Sequence, residues 1–137
     1  MKILDGKKVS EDIKSEIKIL VDQLKLKNKR PPHLAAILVG SDGASLTYVS
    51  SKVKACNQVG FKSSLFRFDD KISEKELLNH IEILNLDKEI DGFIVQLPLP
   101  KQIDEEKVLL SINPEKDVDG FHPSNFGRMA LEMDSFI

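Results

Sequence analysis

The sequence predicts an α/β fold in which helices flank a mainly parallel, open sheet as a three-layer sandwich. Short continuous apolar runs, typical of buried parallel strands, alternate along the chain with stretches of helical periodicity. Because each apolar run is followed by a helical stretch, right-handed crossovers are expected to join the strands. The length of 137 residues fits one domain of ordinary size.

The first helix and the first strand are predicted on either side of a proline pair. Residues 10–26 carry apolar side chains at helical spacing, with Ser10 as the N-cap. Pro31–Pro32 ends that segment. Residues 34–39 then form a continuous apolar run, which predicts a buried strand.

Glycines bound the next helix. Gly40–Gly43 is predicted as the turn into a helix over Tyr48–Val59, and Gly60 ends that helix. The Gly-x-x-Gly spacing could also cradle an anion at the amino end of a helix, but it usually marks only a turn. Residues 62–68 alternate enough to predict the second strand.

The second half of the predicted sheet begins with a capping box. Ser73 and Glu76 have the S-x-x-E spacing that starts a helix. Residues 91–97 predict a third buried strand, and Pro98–Pro100 must leave the sheet because proline cannot donate to a strand ladder. Either proline could follow a cis peptide bond. Asp104 is expected to cap a further short helix.

Composition excludes several classes of function. A formal charge of -2 gives no electrostatic footprint for nucleic acid or for an anionic membrane surface. No apolar run is long enough to cross a bilayer, and the amino terminus lacks the apolar core of a signal peptide. The single cysteine excludes an internal disulfide, so a reducing, cytoplasmic location is expected.

Lys52 stands out because it lies on the side of its helix that should face the core. At about 100° per residue, one arc of this helix collects mainly apolar side chains. The arc contains Tyr48, Val49, Lys52, Val53, Ala55, Cys56 and Val59. Lys54 falls on the opposite, solvent side. Desolvation would lower the pKa of an ammonium at this place toward catalytic values, or the side chain could reach out to solvent along its stem.

Two further features are expected at the carboxyl ends of the strands, where open parallel sheets bind ligands. Gln96 is a primary amide in an apolar run, and it needs a partner from a ligand, from Lys52 or from neighbouring backbone. Asp117 and Asp119 alternate in an irregular segment over 114–123. Each could bind a donor-rich heterocycle or make turn hydrogen bonds to backbone.

Several other kinds of site are disfavoured. The histidines His33, His80 and His122 lack metal-ligand spacing and are expected to be surface or capping residues, so no metal site is predicted. Cys56 lies on the buried arc and is expected to be a small core residue. No histidine partner is visible for a catalytic serine, and the absence of any G-x-G excludes a dinucleotide fingerprint.

Three motifs in register resemble the bifunctional methylenetetrahydrofolate dehydrogenase/methenyltetrahydrofolate cyclohydrolase family across nearly the whole chain. The first is Val39–Gly40 with Ser45 and the Y-V-x-x-K-x-K-A-C run over 48–56. The second is D-G-x-x-V-Q-L-P-L-P over 91–100, and the third is P-E-K-D-V-D-G-F-H-P-x-N-x-G over 114–127. One such motif would be suggestive, whereas three in order are highly specific.

The resemblance implies a role for each conspicuous residue. Tyr48 would stack on the folate ring system, and Lys52 would be the main acid–base group. Gln96 would hydrogen-bond Lys52 and favour its neutral form, and Asp119 would accept from the pterin amino and ring N–H groups. These four are the expected catalytic residues. The expected substrate-binding residues are Tyr48, Lys52, Val95, Gln96, Leu97, Pro98 and Asp119.

The resemblance also implies two successive reactions and a second domain in the family members. Family members oxidise 5,10-methylenetetrahydrofolate with NADP and hydrolyse the product to 10-formyltetrahydrofolate. They continue into a nicotinamide-binding Rossmann domain that this chain lacks, so no residue here is expected to bind the cofactor. Residues 1–127 are accordingly assigned to the catalytic domain, and 128–137 to a truncated connection. Full-length members are homodimers, and this chain by itself is expected to be a monomer.

Two other functions compete with this interpretation. A non-catalytic folate-binding or regulatory module would keep Tyr48 and Asp119 for binding while the chemistry is lost. An unrelated flavodoxin-like signalling domain would have no folate affinity, and the register of the three motifs argues against it.

Overall fold

A computed structural model describes residues 5–134, in which a parallel sheet is flanked by helices. The elements in chain order are α1 (Gly6–Leu26), β1 (His33–Val39), α2 (Gly43–Val59), β2 (Lys62–Phe68), α3 (Glu74–Leu86), β3 (Gly92–Val95), α4 (Glu105–Ser111) and α5 (Pro123–Ala130). The three strands run in the order β2-β1-β3 and all pair in parallel. The predicted α/β fold with a parallel open sheet is therefore confirmed.

Alternate residues of the strands pack into separate apolar layers, as the two-residue period of a strand requires. On one face, Ile37 and Phe93 pack with Leu77 of α3 and Val108 of α4. On the other face, the neighbouring strand residues pack against α2. That second group consists of Ala36, Leu38, Ile94 and Val49, with Leu46, Val53 and Leu65 at its margin. α1 lies outside α2 and contacts it.

Most predicted element boundaries near caps are confirmed. Ser73 and Glu76 form both halves of the capping box at the start of α3. Gly60 ends α2 with φ +84°, a left-handed conformation that glycine adopts without steric penalty. Asp104 caps α4 by accepting from the backbone amides of its first turn. The Leu97–Pro98 peptide bond is cis.

Two helices begin earlier than predicted. α1 starts at Gly6, where Asp5 accepts a hydrogen bond from the Lys8 amide, so Ser10 lies inside the helix rather than at its cap. α2 starts at Gly43 with Asp42 as its cap, five residues before the predicted Tyr48. In both cases the aspartate accepts from a backbone amide in the first turn of the helix. Apolar periodicity does not reveal such a cap, because capping depends on backbone donors rather than on burial.

The carboxyl-terminal part of the chain differs more from its predicted elements. β3 is shorter than the predicted 91–97, although the backbone N–H of Gln96 still donates to the Ile37 carbonyl at 2.9 Å. α5 was not predicted, and it runs through the proposed domain boundary after residue 127. His122 caps this helix, and proline occupies its first turn. Residues 135–137 of the predicted connection lie outside the described residues.

An ion pair joins the strands at the amino edge of the sheet, opposite the carboxyl ends. Arg30, just before β1, donates to both carboxylate oxygens of Asp91 at 2.6 and 2.8 Å. The His33 amide also donates to Asp91 at 2.7 Å. The hydrogen bonds from Arg30 lower the pKa of the Asp91 carboxyl, and desolvation opposes this effect.

We predict that Asp91→Asn lowers the free energy of unfolding at pH 7 by about 0.5–1 kcal/mol, a range suited to a solvent-screened pair. The folded-state pKa of Asp91 lies below its unfolded value. Its stabilisation is therefore present above the unfolded value and is lost as the pH falls through the folded one. Urea unfolding of both proteins between about pH 7 and pH 3 checks this. A difference that stays constant down to the acid end would contradict the assignment.

Candidate functional site

The carboxyl ends of β1 and β3 open into a cleft of about 540 Å³. One wall is the amino-terminal half of α2, and the other is formed by the residues after β3 and a loop that precedes α5. The lining residues are Asp42, Ala44, Ser45, Tyr48, Lys52, Gln96, Leu97, Pro98, Asp119 and Phe121. This is the edge at which ligands of open parallel sheets bind.

Lys52 and Asp119 form an ion pair across this cleft. The Lys52 Nζ donates to Asp119 Oδ1 at 3.0 Å, and both side chains are about one-quarter exposed. The same Nζ lies 4.7 Å from the centroid of the Tyr48 ring, within reach of a cation–π contact. Lys54 is exposed, as predicted. Because Lys52 lies on the arc with the apolar side chains, its ammonium points toward a carboxylate and an aromatic face rather than out along the protein surface.

Tyr48 is more exposed than the helical periodicity predicted. It was placed on the core-facing arc of α2, yet its side chain is 53% exposed. Val49 and Cys56 on the same arc are buried. The reason is position around the helix, because Tyr48 lies about 100° from the buried Val49, at the edge of the arc that borders the cleft. Its ring thus forms an open apolar wall beside Lys52.

The expected hydrogen bond from Gln96 to Lys52 is wrong for this structure. The Gln96 side-chain amide donates to the Leu97 carbonyl at 2.6 Å, and the Lys52 ammonium has Asp119 as its partner. Neighbouring backbone was the alternative partner considered for this amide, and it is the one observed. Gln96 nevertheless lines the same cleft.

The residues around Gln96 divide according to the pleat of β3. Leu97 and Pro98 line the cleft. The Val95 side chain does not, and the expected contact of Val95 with substrate stays a prediction. Val95 is 4% exposed and packs in the core on the opposite face of the sheet from α2. Successive strand residues point to opposite faces, so Val95 and Gln96 cannot both face the cleft.

The two aspartates left open by the sequence have different environments. Asp117 is buried and accepts from the backbone amides of Gly120 and His122 at 3.0 and 2.8 Å. Asp119 faces the cleft and pairs with Lys52. The turn hydrogen bonds therefore belong to Asp117, and the carboxylate that faces the cleft belongs to Asp119.

Sequence reasoning missed several residues of the cleft. Asp42 and Ala44 line it because α2 begins earlier than predicted, and a D-x-x-S spacing to Ser45 was the available signal for that cap. The hydrogen bond from the Ser45 amide lowers the pKa of the Asp42 carboxyl. Phe121 lies in the third motif, but only the folded loop brings its ring to the cleft.

The histidines occupy three different environments. His33 was expected to be a surface or capping residue, but it is buried, with one ring nitrogen 3.0 Å from a backbone carbonyl and the other 2.8 Å from Ser64 Oγ. His122 accepts from the Ser124 amide as a helix cap, and His80 is exposed. Within residues 5–134, no three side chains of His, Cys, Asp or Glu cluster as a metal site would require.

Comparison with known proteins adds independent findings. The profile of the tetrahydrofolate dehydrogenase/cyclohydrolase catalytic domain matches residues 4–119. Over all 137 residues the chain is 64% identical to the bifunctional protein FolD of Christiangramia forsetii, and it covers 46% of that relative. It is 56% identical over 136 residues to the protein of the same name from Porphyromonas gingivalis, again covering 46%. The chain thus spans about half the length of these curated relatives.

Solved structures agree with this match. The bifunctional FolD enzyme of Campylobacter jejuni superposes with a TM-score of 0.94 at 47% identity, covering 98% of this chain and 48% of that one. The FolD of Trypanosoma brucei, solved with NADP cofactor and an inhibitor, superposes with a TM-score of 0.92 at 32% identity. That alignment covers 98% of this chain and 46% of the other. Within residues 5–134, no helix is long and apolar enough to cross a membrane.

Cys56 is predicted to react slowly with thiol reagents in the folded protein. It is 7% exposed, and burial raises the pKa of its thiol, so the reactive thiolate is scarce. Reaction with an aromatic disulfide is expected to be at least about 100-fold slower than in urea. Ser50→Cys, on the exposed side of the same helix, supplies the control in a Cys56→Ala background. Equal rates for the two thiols would contradict a core role.

Proposed function

Since this chain belongs to the tetrahydrofolate dehydrogenase/cyclohydrolase family, we propose that it supplies the folate site and the acid–base lysine of a bifunctional enzyme of one-carbon metabolism. The proposed reactions are oxidation of 5,10-methylenetetrahydrofolate to 5,10-methenyltetrahydrofolate and hydrolysis of that product to 10-formyltetrahydrofolate. The observation that supports this most is the Lys52–Asp119 pair beside the Tyr48 ring in one cleft.

The chemistry of the cleft suits a pterin. Its edge carries an amino group and a ring N–H, and a carboxylate accepts such a pair of donors well. Asp119 is the carboxylate that faces the cleft, and the exposed Tyr48 ring provides a flat surface on which the heterocycle can stack. Leu97 and Pro98 complete an apolar wall on the opposite side.

Pterin binding and the lysine then compete for the same carboxylate. In the structure, Asp119 accepts from Lys52. When the pterin N–H groups take this carboxylate, the Lys52 ammonium loses its ion-pair partner. An ammonium left without a counter-charge in the cleft would release one proton to solvent, and the neutral amine could then take a proton from an attacking water. The bound substrate would thus activate its own base.

In the hydrolytic step, the oxygen of water bonds to the methenyl carbon while Lys52 accepts one of its protons. The bond from that carbon to N5 then breaks as the remaining hydroxyl proton is lost to solvent and the proton held by Lys52 passes to N5, which leaves the formyl group on N10. Gln96 lies on the same side of the sheet as α2 and lines the cleft, so its amide is placed to orient the water or the lysine after leaving the Leu97 carbonyl.

NADP does not fit the residues of this chain. The sequence contains no G-x-G, and the turn from β1 into α2 has only the Gly40-x-x-Gly43 spacing. We therefore derive no hydride-transfer step from these residues. In the proposed enzyme, NADP would bind to the part of the relatives that this chain does not span.

The setting of the protein is also proposed. Its single cysteine is buried, which suits a reducing, cytoplasmic compartment. The chain of 137 residues is proposed to be a monomer that binds a small folate and neither nucleic acid nor membrane.

We predict that the purified chain hydrolyses 5,10-methenyltetrahydrofolate and that Lys52→Ala lowers the rate by about 100-fold or more, as loss of a general base does. Loss of methenyl absorbance follows the reaction. Lys54→Ala, on the solvent side of the same helix, is the matched control and should keep the full rate.

A Lys52→Ala rate equal to that of the unmodified chain would refute the assigned base. Hydrolysis no faster than buffer, together with measurable folate binding, would instead favour the non-catalytic folate-binding module. Absence of both hydrolysis and binding would refute a folate site formed by this chain alone.

A further inference from the structure

The segment Lys116–His122, here termed the Asp119 loop, is held in place by buried polar groups. Asp117, only 3% exposed, accepts three hydrogen bonds. Its Oδ1 accepts from the Gly120 amide at 3.0 Å, and its Oδ2 accepts from the His122 amide at 2.8 Å and from the Asn125 side chain at 3.1 Å. A buried carboxylate needs such donors, because an unpaired charge is costly to desolvate.

Asn125 links this loop to α5. It is also 3% exposed, and its side-chain nitrogen donates both to Asp117 and to the Pro114 carbonyl at 2.8 Å. One amide group therefore ties the backbone just before the loop to the buried carboxylate of the loop. Gly120, at φ +70°, makes the sharp turn between the two amides that Asp117 holds.

The loop is also fastened along β3. The Phe93 amide donates to the Lys116 carbonyl at 2.9 Å, and Phe93 forms a parallel bridge with Asp117. Gly92 permits this close approach, since a Cβ there would lie 2.3 Å from Val118 Cγ1 and 3.3 Å from the Lys116 carbonyl. A side chain at Gly92 would push away the residue next to Asp119.

Asp119 is the one carboxylate of this loop that faces the cleft, and among residues 5–134 Lys52 is the only hydrogen-bond partner of its side chain. We propose that Asp117, Asn125 and Gly92 are positioning residues that aim Asp119 at the cleft. Within residues 5–134 none of the three lines the cleft or hydrogen-bonds Lys52, and they act through the backbone of the Asp119 loop. This inference rests on the proposed folate site for its binding readout, but its structural readout is independent of folate.

The structural readout is the Lys52–Asp119 pair in the ligand-free chain. With lysine carrying a nitrogen isotope label, the Nζ signal of Lys52 reports on its carboxylate partner. Asp119→Ala defines the signal of the broken pair. Asn125→Ala, Asp117→Asn and Gly92→Ala are expected to shift the signal toward that value. Arg30→Ala, which breaks an ion pair at the opposite edge of the sheet, should leave it unchanged.

The binding readout is a double-mutant cycle with 5-formyltetrahydrofolate as a stable probe. When it is made alone, Asn125→Ala is expected to weaken binding of this probe by about 10-fold, the size of effect that the loss of one well-placed hydrogen bond gives. In the Asp119→Ala background the same change should weaken binding by less than about 2-fold, because the group it positions is gone. Gly92→Ala removes no hydrogen-bonding side chain and should follow the same pattern.

The outcomes separate this inference from the proposed function. An unchanged Lys52 signal in all three positioning variants that remain folded would overturn the inference, whatever folate does. Equal losses of binding with and without Asp119 would also overturn it, because the variants would then act through general destabilisation. A shifted Lys52 signal with no folate binding in any protein would support the loop geometry and refute the folate site instead. Urea unfolding of each variant identifies any that fail to fold.

Discussion

The parallel pairing of β1 with both of its neighbours is the constraint on which the rest of the structure depends. It brings the carboxyl ends of the strands to one edge of the sheet, so that the start of α2 and the residues after β3 meet there. The alternation of side chains along the strands then decides what faces the cleft. Gln96 lies on the side of α2, and Val95 remains in the core on the opposite face. The cleft is thus a consequence of strand direction and pleat, and its chemistry comes from only a few side chains placed at that edge.

In the proposed function, one carboxylate would serve two partners. Asp119 accepts from the Lys52 ammonium in the structure, and in the proposed complex the same oxygens would accept from a pterin edge. An ion pair that the ligand replaces would link binding to the release of the base, and it also keeps a partly buried ammonium from being left unpaired. In the inference above, the buried hydrogen bonds of Asp117 and Asn125 give the Asp119 carboxylate a fixed direction. The replacement of Lys52 by the ligand would then depend on the ligand rather than on movement of the loop.

The sequence predicted β1 and β2 well because a continuous apolar run indicates burial in β1 and alternation indicates a strand in β2. It placed Lys52, Gln96 and the segment with Asp119 at one edge because open parallel sheets bind ligands beyond the carboxyl ends of their strands. The starts of α1 and α2 were harder to predict from the sequence, since their caps Asp5 and Asp42 act through backbone donors that leave no apolar pattern. α5 was missed because its only buried residue is the polar Asn125. The pairing of Lys52 with Asp119, 67 residues apart, depends on the loop geometry, which no local pattern encodes.

The most direct test of the proposed exchange at Asp119 is a crystal structure of the chain with a tetrahydrofolate derivative bound. We predict that the pterin lies on the Tyr48 ring and that Asp119 accepts from its N–H groups. We also predict that the Lys52 Nζ, which lies 3.0 Å from Asp119 Oδ1 in the present structure, moves beyond hydrogen-bonding distance of this carboxylate. A folate bound in this cleft with the Lys52–Asp119 pair intact, or a folate bound elsewhere on the chain, would contradict the proposed exchange.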